Sequence, residues 1–362
     1  MARFVVVGVG NVGLRVLWDL SRRGHRVVGL DSRLSAVEEA RRLGLDAVLG
    51  DYGAVGKVIE RLGGVDVIVS ALPGSIGFRA VVDLAVHGVD IVDVSFFPED
   101  PEPLREVAEK HGITIVVDAG IAPGLSNVLV GYFVERGARR AEIYVGGVAA
   151  RPGDPLGLAA VWSVDDLIDE YLRPARFVLG GRVHVTEPLR VEPGLVEIEG
   201  VGMMEYFPTD GLRSLLKSYP HMDFMIEYTL RWPGHLGFMK KLASIGLLSG
   251  QAVSVSGLPV RPREFLARLI ERHARGVEDL VVMRVVTDLH DPGGARLVVE
   301  PQESWSAMAI ATGSVLASIA EMVAEGNTPR GLVYPERFGA SEELFNALAA
   351  KLLERGLEVE FT

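Results

Sequence analysis

The first 120 residues alternate between short apolar runs and longer amphipathic segments. The runs are rich in valine and isoleucine, which favours buried strands, and the segments between them have the 3.6-residue period of helices. The predicted strands are 4–7, 26–30, 47–49, 65–70, 90–93 and 114–118. Helices such as 34–43 and 77–87 separate them. This alternation predicts an α/β fold with a doubly wound parallel sheet, whose loops after the strands face a ligand.

The first strand-turn-helix unit is more specific than the others. An apolar run leads into GVGNVG at residues 8–13, and an amphipathic helix and a second apolar run ending on Asp31 follow. Gly8 permits a tight turn, Gly10 lets a pyrophosphate approach the backbone, and Gly13 lets helix and strand pack closely. The helix N-terminus offers N–H groups to the phosphates. This arrangement predicts a Rossmann-type dinucleotide site.

The residues after the second strand bear on the choice of cofactor. A carboxylate at Asp31 repels the 2′-phosphate of NADP, so it favours NAD. Arg33 is the opposing signal, because a guanidinium can hold that phosphate. We therefore expect NAD as the cofactor, and we expect Ser95 to contact its nicotinamide. The residues in the loops after the later strands could equally serve only to form the turns. The expected NAD-binding residues are Gly8, Gly10, Asn11, Val12, Gly13, Asp31, Ser32, Arg33, Asp51, Tyr52, Ala71, Leu72, Pro73, Ser95 and Ala119.

After residue 120 the strands become longer and are interrupted by helices. The predicted strands are 141–149, 177–186, 195–209, 222–232, 280–289 and 295–302, and the helices are 164–172, 212–219, 236–248 and 262–275. We expect these strands to be antiparallel, in an α+β domain. The predicted division is an NAD-binding domain at 1–121, a substrate and oligomerisation domain at 122–304, and C-terminal helices at 305–362. The last segment begins with an amphipathic helix at 306–325 that returns to the first domain.

Composition narrows the classes of partner. The net charge is −11 with no basic block, which argues against nucleic acid. The chain has no cysteine and its eight histidines are scattered, so we expect no disulfide and no metal site. The first strand begins near the N-terminus, leaving no room for a signal peptide, and no apolar run approaches the ~18 residues that span a membrane. We therefore expect a cytoplasmic protein, and the scarcity of asparagine and glutamine suggests a thermophile.

Three later stretches go beyond the fold. They read VVDAGIAPGLSNVLVGY (116–132), YVGGVAARPGDPLGLAAVWSVDDLIDEYLRPA (144–175), and DGLRSLL with LRWPGHLGFMKKLASIGLL within 210–248. Together with the nucleotide-binding domain they resemble the saccharopine dehydrogenase-like family, and within it the NAD-dependent L-lysine 6-dehydrogenases. The resemblance implies oxidative deamination of the ε-amine of lysine to a semialdehyde that cyclises, with release of ammonia and NADH. It also implies a homodimer or a higher homo-oligomer.

Oxidising an amine by hydride transfer requires a neutral amine, so a base must accept a proton. His235 lies in a turn just after a strand, where it can act as proton acceptor, as a polar substrate contact or as a helix N-cap. Asp118 ends the sixth strand and can orient the nicotinamide ribose or the amine. Tyr171 and Arg173 are expected to pack at a helix end. The residues expected to form an apolar wall that lowers the pKa of the substrate amine are Phe96, Phe97, Trp162 and Trp232.

An α-amino acid substrate also needs a cation for its carboxylate. Arg213 and Arg231 are the candidates, and each can instead pair with Asp223 or Glu227. Backbone at the end of the strand near residue 147 can approach a ligand. The expected substrate-binding residues are Arg213, Arg231, Tyr144 and Gly147.

Two other functions stay open. A saccharopine or carboxyspermidine-type dehydrogenase of the same family would need two carboxylate anchors. A non-catalytic NAD-sensing regulator is the alternative from another class, because the first 70 residues also resemble the nucleotide-gated regulatory domains of potassium transport. Those regulators have a much smaller second domain, so the length of this chain favours an enzyme.

Overall fold

The structure, a computed structural model, describes residues 1–152, 156–159 and 162–362. Its strands are Arg3–Val7 (β1), Arg26–Asp31 (β2), Ala47–Leu49 (β3), Val67–Ser70 (β4), Asp90–Asp93 (β5), Thr114–Val116 (β6), Arg140–Ala149 (β7), Ala175–Leu179 (β8), Arg182–Thr186 (β9), Gly194–Ile198 (β10), Gly202–Pro208 (β11), Phe224–Arg231 (β12), Val253–Val255 (β13), Leu258–Val260 (β14), Asp279–Thr287 (β15), Gly294–Val299 (β16), Gly331–Val333 (β17) and Glu360–Phe361 (β18). Its α-helices are Asn11–Arg22 (α1), Leu34–Arg42 (α2), Val55–Leu62 (α3), Gly74–Ala85 (α4), Pro103–His111 (α5), Leu125–Val134 (α6), Val164–Leu172 (α7), Leu215–Ser218 (α8), His235–Ser244 (α9), Pro262–Ala274 (α10), Ala307–Ala324 (α11), Glu336–Ala340 (α12) and Glu342–Leu353 (α13).

The chain divides into two compact units. Unit 1 comprises Met1–Gly137 and Ala309–Val359, and unit 2 comprises Ala138–Met308 and Glu360–Thr362. This division lies after residue 137, whereas the predicted boundary lies after residue 121, before α6. Helix α6 belongs to unit 1 because it packs against α12, where the absence of a side chain at Gly339 lets its backbone lie against that of Val128.

The sheet of unit 1 has the strand order β17-β6-β5-β4-β1-β2-β3, and its strands are parallel. Valine, isoleucine and leucine side chains from these strands and the flanking helices form its buried core. The order reverses between β1 and β4, which is the position where such sheets bind dinucleotides. The predicted Rossmann-type α/β fold is thus confirmed. Strand β17 was not predicted, because it has only three residues and lies far from the other strands in sequence.

The main sheet of unit 2 is mixed. Its order is β10-β11-β12-β7-β15-β16-β18, with β8 also paired to β12 and β9 paired to β8. The expectation of antiparallel pairing fails at β12 and β7, which run parallel. The predicted strands 177–186 and 195–209 are wrong as well, since each is a hairpin of two strands. The turns use glycines with positive φ, at Gly180 (59°) and Gly200 (80°).

Helix α11 is buried on all sides, whereas the sequence predicted an amphipathic helix. Within the described residues it is a helix long and apolar enough to cross a membrane, so the prediction that no apolar run approaches this length is wrong. In the structure 89% of its residues are buried, and a buried core helix meets the same criteria of length and composition. Many of its residues are alanine, glycine and serine, which allow close packing.

Candidate active site

The glycine-rich loop of unit 1 has the geometry that the motif predicts. Gly8 follows β1 with a φ of 89°, and a Cβ there would lie 2.5 Å from the carbonyl oxygen of Ala71. A Cβ on Gly13 would overlap the Gly8 carbonyl oxygen, so glycine at position 13 is what lets α1 pack against the turn. Both positions require glycine for close approach of backbone segments.

The start of α1 is open to an anion. Gly10 is the N-cap residue and supplies no side-chain cap to the helix that begins at Asn11 and Val12. A Cβ on Gly10 would approach only the Arg33 guanidinium, at 3.4 Å, among the described residues. The space that a side chain at position 10 would fill lies at the positive end of the α1 dipole, and it fits a pyrophosphate.

Asp31 ends β2 beside this loop. Its carboxylate accepts hydrogen bonds from the N–H groups of Val9 and Arg33, each at 2.8 Å, and pairs with the Arg33 side chain at 3.1 Å. Burial favours a higher pKa for Asp31, but these hydrogen bonds outweigh it and lower the pKa. Asp31 is thus an ionised acceptor, and Arg33 lies over the loop with 63% of its side chain exposed.

The other expected NAD-binding residues follow the carboxyl ends of strands in the same sheet. Ser32 and Asp51 are exposed, as is Pro73, which precedes α4. The Tyr52 hydroxyl donates to Asp83 at 3.3 Å. Ala71 and Leu72 are half-buried after β4, and Ala119 is buried after β6, where its N–H donates to the Asp93 carbonyl.

A buried pair of carboxyl groups lies near the ends of β5 and β6. Asp93 accepts hydrogen bonds from the Ser95 hydroxyl at 2.6 Å and the Ser95 N–H at 3.0 Å. Burial and the charge of Asp118 raise the pKa of Asp93 to about 7, although hydrogen bonds from Ser95 and Ser70 oppose this. Asp118 is fully buried with a φ of 55°, a strained conformation for a residue with a side chain. Asp118 could be predicted from its place at the end of a strand, whereas no signal in the sequence pointed to Asp93.

His235 lies in a different environment from the one that the sequence suggested. It begins α9, where its Nε2 is 2.7 Å from the Tyr171 hydroxyl and its Nδ1 is 2.8 Å from the Leu156 carbonyl oxygen. A carbonyl only accepts, so Nδ1 carries the proton and Nε2 accepts from Tyr171. Burial and the charge of Arg231 lower the pKa of His235 to about 3. The ring is therefore held as a neutral hydrogen-bonding group.

The N-cap interpretation of His235 is also wrong. Gly234 is the N-cap residue of α9, and Glu205 from β11 supplies the acceptor instead. The Glu205 carboxylate accepts from the N–H of Gly234 at 2.7 Å and from that of Leu236. A carboxylate at a helix N-terminus is favourable, so Glu205 fixes the turn that presents His235. Nothing in the local sequence indicated Glu205, because it reaches the turn from a neighbouring strand.

Arg231 is fully engaged within unit 2. Its Nε donates to the Tyr171 hydroxyl at 3.1 Å, and its guanidinium pairs with Glu170 on α7. Only 2% of the Arg231 side chain is exposed. It therefore pairs with neither Asp223 nor Glu227, and its hydrogen bonds argue against an anchor for a substrate carboxylate. Tyr171, expected as helix-end packing, joins Arg231 to His235 in this network.

Arg213 lies in the loop before α8 rather than in a helix, because the helix begins only at Leu215. It is 7% exposed and has a φ of 51°, again strained for a residue with a side chain. Burial and the nearby charge of Arg213 lower the pKa of Arg173. Two guanidinium groups close together attract an anion. The Asp223 carboxylate pairs instead with Arg139, at 3.1 Å.

Tyr144 and Gly147 do not join these residues. Side chains alternate along β7 and its partner β12, so Tyr144 lies on the opposite face of the sheet from Arg231. Its ring stacks on Tyr228 at 5.0 Å, and its hydroxyl donates to Glu142. A Cβ on Gly147 would lie 2.5 Å from the Met308 side chain, so this strand end is covered.

The expected apolar wall is not assembled within either unit. Phe97 is a core residue of unit 1, in edge contact with Phe78 at 5.5 Å. Trp232 belongs to unit 2, where its indole N–H donates to the Ala149 carbonyl at 2.8 Å. Across the described ranges, no group of three or more His, Asp or Glu side chains is placed to hold a metal ion.

A Rossmann-type unit with a glycine-rich loop and a second unit with a mixed sheet and a buried charged network define a two-domain α/β protein. Residues 120–357 match the saccharopine dehydrogenase C-terminal domain family, and residues 4–69 match the TrkA-N domain. The chain belongs to the saccharopine dehydrogenase C-terminal domain family, which confirms the resemblance drawn from the sequence.

Individual relatives are more distant. The mitochondrial alpha-aminoadipic semialdehyde synthase of Rattus norvegicus is 24% identical over 301 residues, which cover 74% of this chain and 31% of that protein. Saccharopine dehydrogenase (NADP(+), L-glutamate-forming) of Saccharomyces cerevisiae is 25% identical, over 60% of this chain and 51% of that protein. The chain thus spans about a third to a half of the length of these relatives.

A solved structure, apo saccharopine dehydrogenase (L-Glu forming) from Saccharomyces cerevisiae, has the same fold. Its TM-score is 0.78 at 18% identity, with 100% of each chain covered. The similarity therefore includes both units and not the nucleotide-binding part alone.

Proposed function

We propose that this protein is an NAD-dependent L-lysine 6-dehydrogenase, an oxidoreductase that deaminates the ε-amine of lysine. The observation that carries the proposal is the proximity of two guanidinium groups, the half-buried Arg173 and the buried Arg213, in a chain that also has a dinucleotide cradle. Such a pair suits the carboxylate of an amino acid. The motifs in 116–132, 144–175 and 210–248 that resemble lysine 6-dehydrogenases support the choice of substrate.

NAD is the proposed cofactor because Asp31 is ionised beside the glycine loop. In this proposal the N–H groups at the start of α1 bind the pyrophosphate, and Asp31 accepts from the ribose hydroxyls. When bound, NAD supplies the hydride acceptor. Arg33 is the residue that can admit NADP, the cofactor in the name of the yeast relative. Asp31 has to exchange its Arg33 partner for the ribose, and the 63% exposure of the Arg33 side chain lets this guanidinium move into solvent during that exchange.

The proton acceptor in this proposal is Asp118 rather than His235. Both ring nitrogens of His235 are already engaged, since Nδ1 donates to the Leu156 carbonyl and Nε2 accepts from the Tyr171 hydroxyl, so the ring is not placed to accept a proton from the substrate. Asp118 lies at the carboxyl end of a parallel strand, where α/β enzymes place catalytic groups, and Asp93 lies beside it with a pKa of about 7. Asp118 would take a proton from the substrate ammonium, and a water would later attack the oxidised carbon and release ammonia.

The buried network of unit 2 then has a positioning role. Glu170, Arg231, Tyr171 and His235 form one continuous set of hydrogen bonds. A network whose members are all paired is rigid, so it can fix the shape of the substrate pocket without exchanging protons.

A saccharopine dehydrogenase is the second candidate, supported by the names of the relatives. Saccharopine has more carboxylates than lysine, and two guanidinium groups at Arg173 and Arg213 suit that demand as well. The two functions differ in the substrate and not in the type of hydride transfer.

The test is a substrate screen of the purified protein. Lysine, saccharopine and cadaverine are each supplied with NAD or NADP, and formation of reduced nicotinamide is followed by absorbance. Turnover of lysine with NAD, and little with cadaverine, supports the proposal, because cadaverine has no carboxylate for Arg213. Turnover of saccharopine alone supports the saccharopine dehydrogenase instead. If no amine is turned over, both candidate functions are overturned.

A further inference from the structure

Helix α1 has few side chains of its own to hold the end that binds the pyrophosphate in the proposed function. The glycines at 8, 10 and 13 surround its first turn and have no side chains to pack. The buried side chains of α1 lie further along the helix, between Arg15 and Leu20. The position of the phosphate-binding end therefore depends on the contacts of this later part.

Asp19 ties this later part of α1 to the C-terminal segment of unit 1, residues Ala309–Val359. Its carboxylate accepts a hydrogen bond from the Nε of Arg355 at 2.8 Å. The Arg355 side chain is 0% exposed and that of Asp19 is 9% exposed, so water screens this ion pair little. A charge-assisted hydrogen bond also fixes a direction, whereas apolar packing does not.

Arg355 is itself held by its own segment. Its Nη2 lies 3.0 Å from a carboxylate oxygen of Glu321 on α11. Arg23, just after α1, adds a second link, because it pairs with Asp19 at 3.4 Å and with Glu354 at 2.9 Å. Two neighbouring residues of the C-terminal segment thus hold the last turns of α1.

Helix α11 also lies against the first turns of α1. A Cβ on Gly313 would lie 2.9 Å from the Cγ of Arg15 and 3.6 Å from the carbonyl oxygen of Val12. Glycine at position 313 therefore lets α11 approach this part of α1 closely. The C-terminal segment supports α1 along its length, by close packing near the first turn and by ion pairs near the last.

We propose that Arg355 is a positioning residue for the nucleotide site, which holds α1, through Asp19, where its first N–H groups meet the pyrophosphate. The proposal rests on the proposed function for the cofactor only and does not depend on the amine substrate. Hydrogen bonds to phosphate act at short range, so a helix displaced by about 1 Å stays folded but loses much of this binding. The ribose of the adenosine is bound by Asp31 on β2 in the proposed function, so the phosphates should register the loss of Arg355 and the adenosine should not.

The test compares the binding of ADP-ribose and of adenosine to the purified full chain, by calorimetry and by NMR titration respectively. ADP-ribose contains the pyrophosphate, whereas adenosine contains only the ribose and the base. The ratio of the two dissociation constants therefore measures the contribution of the phosphates. For Arg355→Met we expect ADP-ribose and NAD to bind roughly ten- to fiftyfold more weakly, and adenosine to bind within about threefold of the wild type.

Three variants accompany Arg355→Met. Asp19→Asn removes the charge with which Arg355 pairs, so it should reproduce the loss. The Asp19→Asn/Arg355→Met double variant should lose no more than the weaker single variant, because both changes act through one ion pair. Arg330→Met is the matched control, since Arg330 belongs to the same segment but pairs with Asp90 at 2.9 Å. Asp90 begins β5, at the end of the sheet opposite the glycine-rich loop, so this variant should keep the wild-type ratio.

The outcomes separate a positioning role from a structural one. If Arg355 only stabilises the fold, Arg355→Met lowers the midpoint of urea unfolding but leaves the ratio unchanged in the folded protein, and this result overturns the proposal. An equal loss for both ligands, or the same loss in Arg330→Met, overturns it too. If Arg355→Met does not fold, Asp19→Asn decides, because a wild-type ratio in that variant overturns the proposal.

The wild type distinguishes this proposal from the proposed function. A wild type that binds no ADP-ribose refutes both the role of Arg355 and the assigned cofactor. A wild type and variants that show the expected ratios without any oxidation of lysine support the role of Arg355 and refute only the lysine 6-dehydrogenase assignment.

Discussion

Replacing Arg231 distinguishes an anchor for the substrate from a structural member of unit 2. Arg231→Met removes the guanidinium and keeps an unbranched apolar side chain of similar length. The variant leaves Glu170 without its ion-pair partner and Tyr171 without the donor at 3.1 Å. We therefore expect a large loss of stability and a modest effect on substrate affinity in the molecules that remain folded.

The magnitude follows from burial. Breaking a fully buried ion pair by removing one partner costs about 3–5 kcal/mol. Arg231 is 2% exposed but Glu170 is 19% exposed, so water can reach the remaining carboxylate in part. We therefore expect the free energy of unfolding to decrease by about 2–4 kcal/mol, which is less than for a pair that water cannot reach.

The assay is urea unfolding at pH 7, with the Arg231→Met/Glu170→Gln double variant measured in parallel. The double variant removes the unpaired carboxylate, so it should recover much of the stability that the single variant loses. An Arg231→Met variant with wild-type stability and a KM for lysine raised a hundredfold would refute this reasoning, because it would identify Arg231 as the anchor.

The remaining predictions concern both units. Gly10→Val should abolish NAD binding in a folded protein, since the branched side chain occupies the pyrophosphate space; calorimetry with wild-type affinity would contradict this. Asp31→Ala should weaken the binding of NAD by about 1.5–3 kcal/mol and that of NADP by less, as measured by kcat/KM with each cofactor. A wild-type protein with the higher kcat/KM for NADP would contradict this and identify Arg33 as the determinant. Asp118→Asn should lower kcat by roughly 10²–10⁴ with NAD affinity retained, and a loss below about tenfold would exclude a base role. Glu227 binds more protons folded than unfolded between its unfolded pKa of 4.5 and its folded pKa of about 8. Wild-type stability should therefore fall as pH rises through this window, and Glu227→Gln, compared by thermal unfolding, should lose that fall.

The nucleotide-binding part of the chain could be predicted because its information is local. The run from Val5 to Val7, the glycines at 8, 10 and 13, and Asp31 lie within one βαβ unit, so their spacing determines their geometry. The predicted strands of this sheet agree with the structure to within a few residues. The three residues of β17 gave no comparable signal, since pairing with β6 depends on a contact across more than half of the chain.

Unit 2 was harder because its site residues act through contacts between distant segments. His235 had a plausible setting after a strand, but its pKa depends on burial and on the charge of Arg231. Its contacts with Tyr171 and Leu156 each span more than sixty residues of sequence. For the hairpins at 175–186 and 194–208 the sequence predicts single strands, because the turns between their strands are short. The period of a strand indicates which residues share a face, but it does not indicate what covers that face.

The strand order of unit 1 has a consequence for how the protein is made. Strand β17 pairs with β6 although residues 138–308 separate the two parts of the unit. A ribosome therefore releases residues 138–308 of unit 2 before it releases the strand that covers the β6 edge. Until then the backbone groups of β6 that will pair with β17 have no strand beside them, and such an edge invites pairing with another chain. A truncation before residue 331 should accordingly aggregate during synthesis even though the whole nucleotide motif is present.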